Sequence, residues 1–151
     1  SNSSNSFRMI TLKVVTPDGT IYDDATITKV TLPTTTGEIT VLPGHIPLLS
    51  ILAPGEILIY KDDGPATSLA TSGGMLEVRK GNLLYLLADT AERAEHIDLD
   101  RAEAARRRAE ELIRSQKEMG DVEFARLQAS MEKELARLRV GKKYRKLPPA
   151  S

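Results

Sequence analysis

The segment Glu92–Arg108, ERAEHIDLDRAEAARRR, carries side chains suited to binding an anion. Arg101 and Arg108 are seven residues apart, which in a helix means two turns and about 10 Å along one face. They lie near the start of a predicted helix, where free backbone N–H groups and the dipole also favour anions. Two guanidiniums there could clamp a polyphosphate, while Glu92 and Asp98 could accept hydrogen bonds from a base or ribose. The alternative is a solvated helix with i,i+4 ion pairs.

Other candidates for catalysis or metal binding are few. His45 and His96 are far apart, and neither has metal-ligand spacing to another histidine or to a cysteine, since the chain has no cysteine. His45 lies between two prolines in LPGHIPLL, so we interpret it as a structural or contact residue rather than a catalytic base. We therefore predict no catalytic residue, no metal site and no required cofactor.

The C-terminal part is strongly basic. Beyond residue 132, a single acid, Glu134, stands against seven basic residues: Lys133, Arg137, Arg139, Lys142, Lys143, Arg145 and Lys146. Basic side chains at a helix C-terminus suit the helix dipole. The alternative is docking onto an acidic protein surface or nucleic acid. An aromatic content of 4% argues against stacking platforms for bases.

Composition indicates a globular chain built from two unlike parts. The 151 residues include 40% hydrophobic and 28% charged residues, enough for one domain with an appendage. The longest apolar run, 83–88, falls far short of the roughly 20 residues that span a bilayer. Residues 1–97 carry 7 basic and 11 acidic side chains, whereas residues 98–151 carry 14 and 10. This change of charge predicts a boundary near residue 97.

The first part is predicted to be a sandwich of short antiparallel strands over residues 9–93. Ile10, Leu12 and Val14 alternate with less apolar neighbours, as in a half-buried strand. Thr16-Pro17-Asp18-Gly19 is a turn, and further turn residues recur every 8–12 residues. Ser72-Gly73-Gly74 is predicted as a bulge or turn. The polar residues 1–8 are interpreted as an added leader, with Met9 as the natural start.

The second part is predicted to be a helical hairpin over residues 97–140, followed by a basic, proline-containing tail at 141–151. Asp98–Asp100 offers N-caps, with Glu103 placed for a capping box with Asp100. Gly120 separates two apolar stripes, and Gly141 is interpreted as a stop. The first stripe is Leu99, Ala102, Ala105, Ala109, Leu112 and Ile113; the second is Phe124, Leu127, Met131, Leu135 and Leu138. Such thin stripes bury little area, which predicts a marginally stable arm and a candidate switch.

Four motifs in this order resemble the epsilon subunits of bacterial F-type ATP synthases. They are TPDG at 16–19, GEITVLPGHIPLL at 37–49, SGGMLEV at 72–78 and AERAEHIDLDRA at 91–102. The resemblance extends from Met9 to about Val140. It implies a ten-stranded N-terminal β-sandwich and a C-terminal two-helix hairpin, in agreement with the patterns above.

The resemblance also implies site residues. The family's nucleotide motif is matched by Ile97, Asp98, Arg101 and Ala102. Relatives from thermophilic Bacillus add a Glu and an Arg that also contact ATP, matched here by Glu92 and Arg108. In the same way Glu38 and His45 are expected to contact the c-ring, and Arg137 and Arg139 belong to the inhibitory helix.

The function implied is that of a non-catalytic rotor subunit. Such a subunit binds gamma and the c-ring, lies peripherally at the cytoplasmic face of the bacterial membrane through the complex alone, and helps couple proton-driven rotation to ATP synthesis. Its helices fold against the sandwich or extend into the alpha/beta hexamer and inhibit ATP hydrolysis. Bound ATP would regulate this equilibrium by favouring the folded form. Two alternatives remain: a free-standing nucleic-acid binder using the basic C-terminal helix, and a small enzyme built on the sandwich.

Overall fold

The computed structural model describes residues 9–62, 64–115 and 119–146, so the predicted leader and the last five residues lie outside the described part. Strands occupy the first part of the chain and helices the second. The strands are β1 Ile10–Thr16, β2 Gly19–Ile27, β3 Lys29–Thr34, β4 Gly37–Val41, β5 Leu48–Leu52, β6 Gly55–Tyr60, β7 Thr67–Arg79 and β8 Leu83–Arg93. A 3-10 turn, Ala94–His96, leads to helices α1 Leu99–Ser115 and α2 Asp121–Lys146.

Strand β1 shows how the alternation in the sequence becomes a buried face. Ile10, Leu12 and Val14 are buried and alternate with half-buried neighbours. The β1–β2 turn forms as predicted: the Thr16 hydroxyl accepts a hydrogen bond from the Asp18 N–H, and Gly19 has φ 121°, which a residue with a Cβ adopts at a cost.

The long strand β7 belongs to both layers of the sandwich. Its first half pairs with β6 and its second half with β5, and the register with β8 shifts on both sides of Gly73. This irregularity is the predicted bulge at 72–74. A Cβ on Gly74 would lie 2.1 Å from the Leu87 carbonyl oxygen, so only glycine fits this close approach.

The sandwich is confirmed, but two details of its prediction are wrong. The described residues form eight strands instead of about ten, in part because β7 continues as one strand through the bulge at 72–74. One pair, β1 with β8, is parallel. No crossover helix is needed for it, because the rest of the sandwich connects these two strands.

The sandwich has its own hydrophobic core between the layers. Seventeen buried residues form it, contributed by strands from β1 to β8 and including Leu12, Leu32, Leu76 and Leu86. A second, separate cluster has four buried members: Ala70, Ala94, Ile97 and Val140. Because this smaller cluster is where α2 meets the sandwich, the apolar contact between the two parts is thin.

Helix α2 differs from its prediction at its end and on its faces. It continues through Gly141 to Lys146, so the helix includes the first six residues of the predicted tail. Phe124 and Leu135, two members of the predicted stripe, are exposed. The buried residues are instead Glu134, Ala136, Leu138, Val140 and Gly141, because α2 packs on two partners, α1 and the sandwich. No helix in the described ranges is long and apolar enough to cross a bilayer.

Candidate functional site

The start of α1 holds Asp98 and Arg101 together through a helix cap. Asp98 Oδ1 accepts a hydrogen bond from the Arg101 N–H at 3.1 Å, which satisfies one of the free donors of the first turn. Asp98 is therefore the N-cap, and the capping box expected between Asp100 and Glu103 is not the cap that forms. The side chain of Arg101 extends from the exposed face and has no ion pair with any described residue.

Ile97 and Ala102 are 1% and 0% exposed. Their side chains cannot reach a ligand in this conformation. Ile97 belongs to the small cluster at the junction, and the Ala102 N–H donates to the Asp98 carbonyl oxygen at 3.0 Å. Their contribution is to fix the backbone on both sides of Asp98 and Arg101.

Arg108 lies two turns along α1, exposed and without an ion partner among the described residues. It borders a shallow surface hollow of about 480 Å³ together with Asp100, Glu103, Arg107 and Glu111. Both arginines of the predicted polyphosphate clamp are thus available to an anion, although acidic neighbours share the surface of Arg108.

Next to the clamp, several other charged side chains of α1 form ion pairs with one another. Arg106 bonds Glu103 at 2.7 Å and Glu110 at 2.6 Å, and Arg107 bonds Glu103 at 3.1 Å. The hydrogen bond from Arg106 is the main cause that lowers the pKa of Glu103 to about 2. The solvated helix of i,i+4 pairs is therefore correct for this face, while Arg101 and Arg108 lie outside the network.

Glu92 lies at the end of β8 and contacts α2, not the two arginines of the clamp. Its Oε1 accepts a hydrogen bond from Arg137 Nε of α2, and Arg137 Nη1 bonds Glu134 Oε2 at 2.8 Å. Burial by itself would lower the pKa of Arg137, but the hydrogen bonds to the two carboxylates outweigh it and raise that pKa. Within the described ranges, no hydrogen bond or ion pair joins Glu92 to Arg101 or Arg108.

The two arginines expected in the inhibitory helix have different surroundings. Arg137 is half-buried in the cluster with Glu92 and Glu134. Arg139 is exposed and borders a groove of about 430 Å³ between the helices, lined also by Glu103, Arg106, Leu135, Leu138 and Lys142. In the docked form, Arg139 is therefore free for an outside partner and Arg137 is not.

Glu38 and His45, the expected c-ring contacts, are not brought together. Glu38 is opposite Pro33 in the β3–β4 pair. His45 is in the loop beyond β4, where its N–H donates to the Leu42 carbonyl and its Nδ1 is 2.6 Å from the Ile46 carbonyl oxygen. Most of β4 separates the two side chains, and no contact between them is recorded in the described part.

An exposed apolar row crosses the outer face of the sandwich, and the sequence interpretation missed it. Ile51 of β5, Met75 of β7 and Leu87 of β8 are 56%, 46% and 59% exposed. The pairing places Ile51 opposite Met75 and Met75 opposite Leu87. We call these three residues the apolar row. A signal was available, because a run such as 83–88 is apolar on both faces of its strand.

Metal chemistry has no support in the described residues, where no group of three His, Cys, Asp or Glu side chains is placed to hold an ion. The polar side-chain atoms that are buried there all have hydrogen-bond partners. In this form, the site is a set of surface arginines beside a docked helix.

Comparison with known proteins accounts for both parts of the chain. Residues 9–94 match the family described as ATP synthase, Delta/Epsilon chain, beta-sandwich domain, and residues 95–142 match the family described as ATP synthase, Delta/Epsilon chain, long alpha-helix domain. The chain belongs to the ATP synthase delta/epsilon chain family. The first match ends at residue 94 and the second begins at residue 95.

Curated relatives place the chain on the epsilon side of this family. It is 41% identical to the ATP synthase epsilon chain of Ligilactobacillus salivarius, over 89% of this chain and 96% of the relative. It is 44% identical to that of Bacillus licheniformis, over 89% of this chain and 100% of the relative. The resemblance read from the motifs is confirmed, and with it the non-catalytic subunit of ATP synthase. The nucleic-acid alternative gains no support.

Two solved structures share the fold of this delta/epsilon chain. One is a chain of the Euglena gracilis mitochondrial ATP synthase, with TM-score 0.70 and 24% identity over 90% of this chain and 82% of that one. The other comes from the central stalk and c-ring of the Tetrahymena thermophila mitochondrial enzyme, with TM-score 0.54 and 14% identity over 89% and 95%. At these identities the likeness concerns the fold.

Proposed function

We propose that the chain is a regulatory subunit of the central rotor of a bacterial F-type ATP synthase. The sandwich is its fixed base, and the α1–α2 hairpin is an arm that docks on the base or leaves it. The observation that carries this proposal is the separation of the two hydrophobic cores, seventeen buried residues in the base and four at the junction. An arm joined by so small an apolar contact can leave while the base stays folded.

The gamma subunit is the partner that we assign to the apolar row. A row made of Ile51, Met75 and Leu87 is unusual on a surface that stays exposed to water. Contiguous exposed apolar patches of this kind mark interaction sites. A permanent subunit interface covers such residues. The arm docks elsewhere, on β6, β7 and the 3-10 turn, so the row is open to gamma in the docked form.

A pull-down with the gamma subunit of the same organism tests this assignment. Met75→Asp puts a charge at the centre of the row and should weaken gamma binding by at least about tenfold, since an unpaired buried charge costs several kcal/mol. Thr20→Asp, at an exposed position of β2, is the control and should bind normally. Equal binding by the two variants would refute the assignment.

The c-ring contact is proposed for the loop that carries His45, with Glu38 as a further contact. Ile46 is 75% exposed, and the loop is held in place because the Gly44 N–H donates to Asn82 Oδ1 at 2.8 Å. The complex would thus place the protein peripherally at the cytoplasmic face of the bacterial membrane. Cross-linking from a cysteine at His45 to the c-ring, with one at Asp18 as control, tests this placement, and equal yields would contradict it.

We also propose that the site at the start of α1 senses ATP. The exposed Arg101 and Arg108 would bind the phosphates, while Asp98 and Glu92 would each offer a carboxylate oxygen that is not used in the contacts described above. No cofactor is required for this role, because ATP acts as a regulator. ATP that binds the docked form better than the extended form shifts the equilibrium towards docking.

Calorimetry on the full chain tests the ATP site. Arg101→Ala should weaken ATP binding by about tenfold, the loss of one charge-assisted contact, and leave the stability of the sandwich nearly unchanged. Arg107→Ala, on the same helix but already paired with Glu103, is the control. Equal ATP affinity in wild type and Arg101→Ala would show that the clamp is wrongly assigned.

The inhibitory state is proposed to be the extended arm, which would enter the alpha/beta hexamer. Arg139, free in the docked form, is the side chain that we expect to contact the hexamer. Arg139→Glu in the reconstituted enzyme should relieve inhibition of ATP hydrolysis at low ATP without changing arm docking. Unchanged inhibition would remove Arg139 from this role.

A further inference from the structure

One face of α2 contacts the segment Glu92–Leu99 at Glu92, Ile97 and Leu99. Arg137, Gly141 and Arg145 are spaced four apart, so they lie above one another on the helix. Arg137 bonds Glu92, Gly141 packs on Ile97 and Leu99, and Arg145 donates from Nη2 to the Ile97 carbonyl oxygen at 3.2 Å. We call Arg137, Gly141 and Arg145 the docking stripe.

Gly141 shows how close the approach is. A Cβ there would lie 2.7 Å from Leu99 Cδ2 and 3.1 Å from Ile97 Cγ2, and both distances are shorter than ordinary contact. Glycine in a helix interior costs up to about 1 kcal/mol relative to alanine, so its presence favours close packing over helix stability. The two residues that it packs against flank Asp98, the N-cap of α1.

Arg137 fixes the other end of the segment. It is held between two carboxylates, Glu134 on its own helix and Glu92 on β8, and Glu134 is buried with Arg137 as its partner. Only Oε1 of Glu92 is used, and Oε2 has no partner among the described residues. A carboxylate oriented in this way still has an oxygen to offer a ligand.

We infer that the docking stripe is the positioning device of the nucleotide site: docked α2 orients Glu92 and holds the backbone at Ile97–Asp98, so the ATP ligands are in place only while the arm is docked. The inference rests on the proposed ATP site in naming the ligand. It gives the physical reason why ATP would favour the docked arm, because the same contacts that hold α2 assemble the site.

The first test uses no nucleotide. Amide hydrogen exchange is measured by NMR on the full chain at Ile97, Arg101 and Ala102, whose N–H groups donate within this segment. Arg137→Met and Gly141→Leu should each raise exchange there by about tenfold or more, while core amides such as that of Leu86 stay protected. Leucine favours helix more than glycine does, so a weaker helix cannot explain the second result.

Lys142→Met, an exposed neighbour, is the control and should behave as wild type. Unchanged exchange in both stripe variants would overturn the inference.

The second test measures ATP binding by calorimetry. Arg137→Met and Gly141→Leu should weaken ATP binding by about tenfold, although neither residue is assigned to the phosphates. The double variant Glu92→Gln/Arg137→Met should bind ATP no more weakly than the single variant with the lower affinity, because the two residues act as one unit. Raised exchange with unchanged ATP affinity, or fully additive losses, would show that the stripe positions the arm but not the site. If the wild-type chain binds no ATP, the proposed ATP site fails, and the exchange result still decides whether the stripe holds the segment.

Discussion

The sandwich and the helical arm are stabilised by different kinds of contact. In the sandwich, large aliphatic side chains are fully buried between two layers, and the strands pair along their length. In the arm, most of the buried residues are small, such as Ala102, Ala109 and Ala136, and one is charged, Glu134. The arm meets the sandwich through four apolar residues and a few ion pairs.

This difference shows how one short chain can combine a fixed base with a movable part. Burial of apolar area contributes about 25 cal/mol per Å², so the base has ample stabilisation and the junction has little. The ion pairs and the close contact of Gly141 define the orientation of the docked arm but add little to the free energy of docking. The arm can thus have one well-defined docked geometry and still leave it.

The largest expected effect separates the core of the base from its surface. Leu76→Ala removes a fully buried side chain from the sandwich and should lower the free energy of unfolding by about 3 kcal/mol. Leu87→Ala, on the paired strand but exposed, is the control and should change it by less than about 0.5 kcal/mol. Urea denaturation followed by circular dichroism measures both variants. Similar losses of unfolding free energy would show that Leu76 contributes no more to the stability of the sandwich than the exposed Leu87 does.

A smaller effect is expected for the same substitution in the arm. Leu138→Ala, at a buried position of α2, should destabilise the arm by about 2 kcal/mol and leave the unfolding midpoint of the sandwich unchanged. Leu112→Ala, at an exposed position of α1, is the control. Helix amides should exchange faster in Leu138→Ala alone; a lowered midpoint of the sandwich would show that the two parts unfold together.

The pH dependence of the arm should be distinct from that of the base. The pKa of Glu103 is lowered to about 2 by Arg106, so its contribution to helix stability is present above about pH 4.5 and is lost as pH falls towards 2. Glu103→Gln should flatten the loss of ellipticity at 222 nm across this range. Glu111→Gln, which removes an exposed acid of the same helix, is the control and should lose ellipticity as wild type does, and a curve identical for both variants would contradict the assignment.

The smallest effect concerns the ion pair at the edge of the junction. Lys143 Nζ bonds Glu56 Oε1 at 2.8 Å, and the pKa of Lys143 is raised, first by this bond. The lysine is half-exposed, so Lys143→Met should weaken docking by no more than about 0.5 kcal/mol, and 1 M salt should erase the difference. Fluorescence transfer between dyes on single cysteines at Asp18 and Ser130 measures docking. A loss that persists in salt would mean that the contact is more than an ion pair.

Much of the fold could be predicted because it depends on local pattern. The alternation in β1, the turn at Thr16–Gly19 and the change of period near residue 97 each have a local physical cause. The bulge at Gly73–Gly74 was also predicted, but not that one strand continues through it, since only pairing with β8 keeps the two halves in line.

The parts that could not be predicted depend on contacts between distant residues. Gly141 looks like a helix stop in the sequence, yet it is a point of close packing against Leu99. Nothing local distinguishes Arg137 from Arg139, because the difference comes from Glu92, 45 residues away along the chain. The ATP ligands at Glu92 and Arg108 remain predictions.

Native-state hydrogen exchange of the full chain across low urea concentrations tests the separation of base and arm most directly. Two groups of amides are expected: those of α1 and α2 exchange through a partial opening with a low free energy, and those of β7 and β8 exchange only through global unfolding. If the helix amides and the strand amides converge on one opening free energy with one dependence on urea, the arm does not open by itself, and base and arm are not separate units.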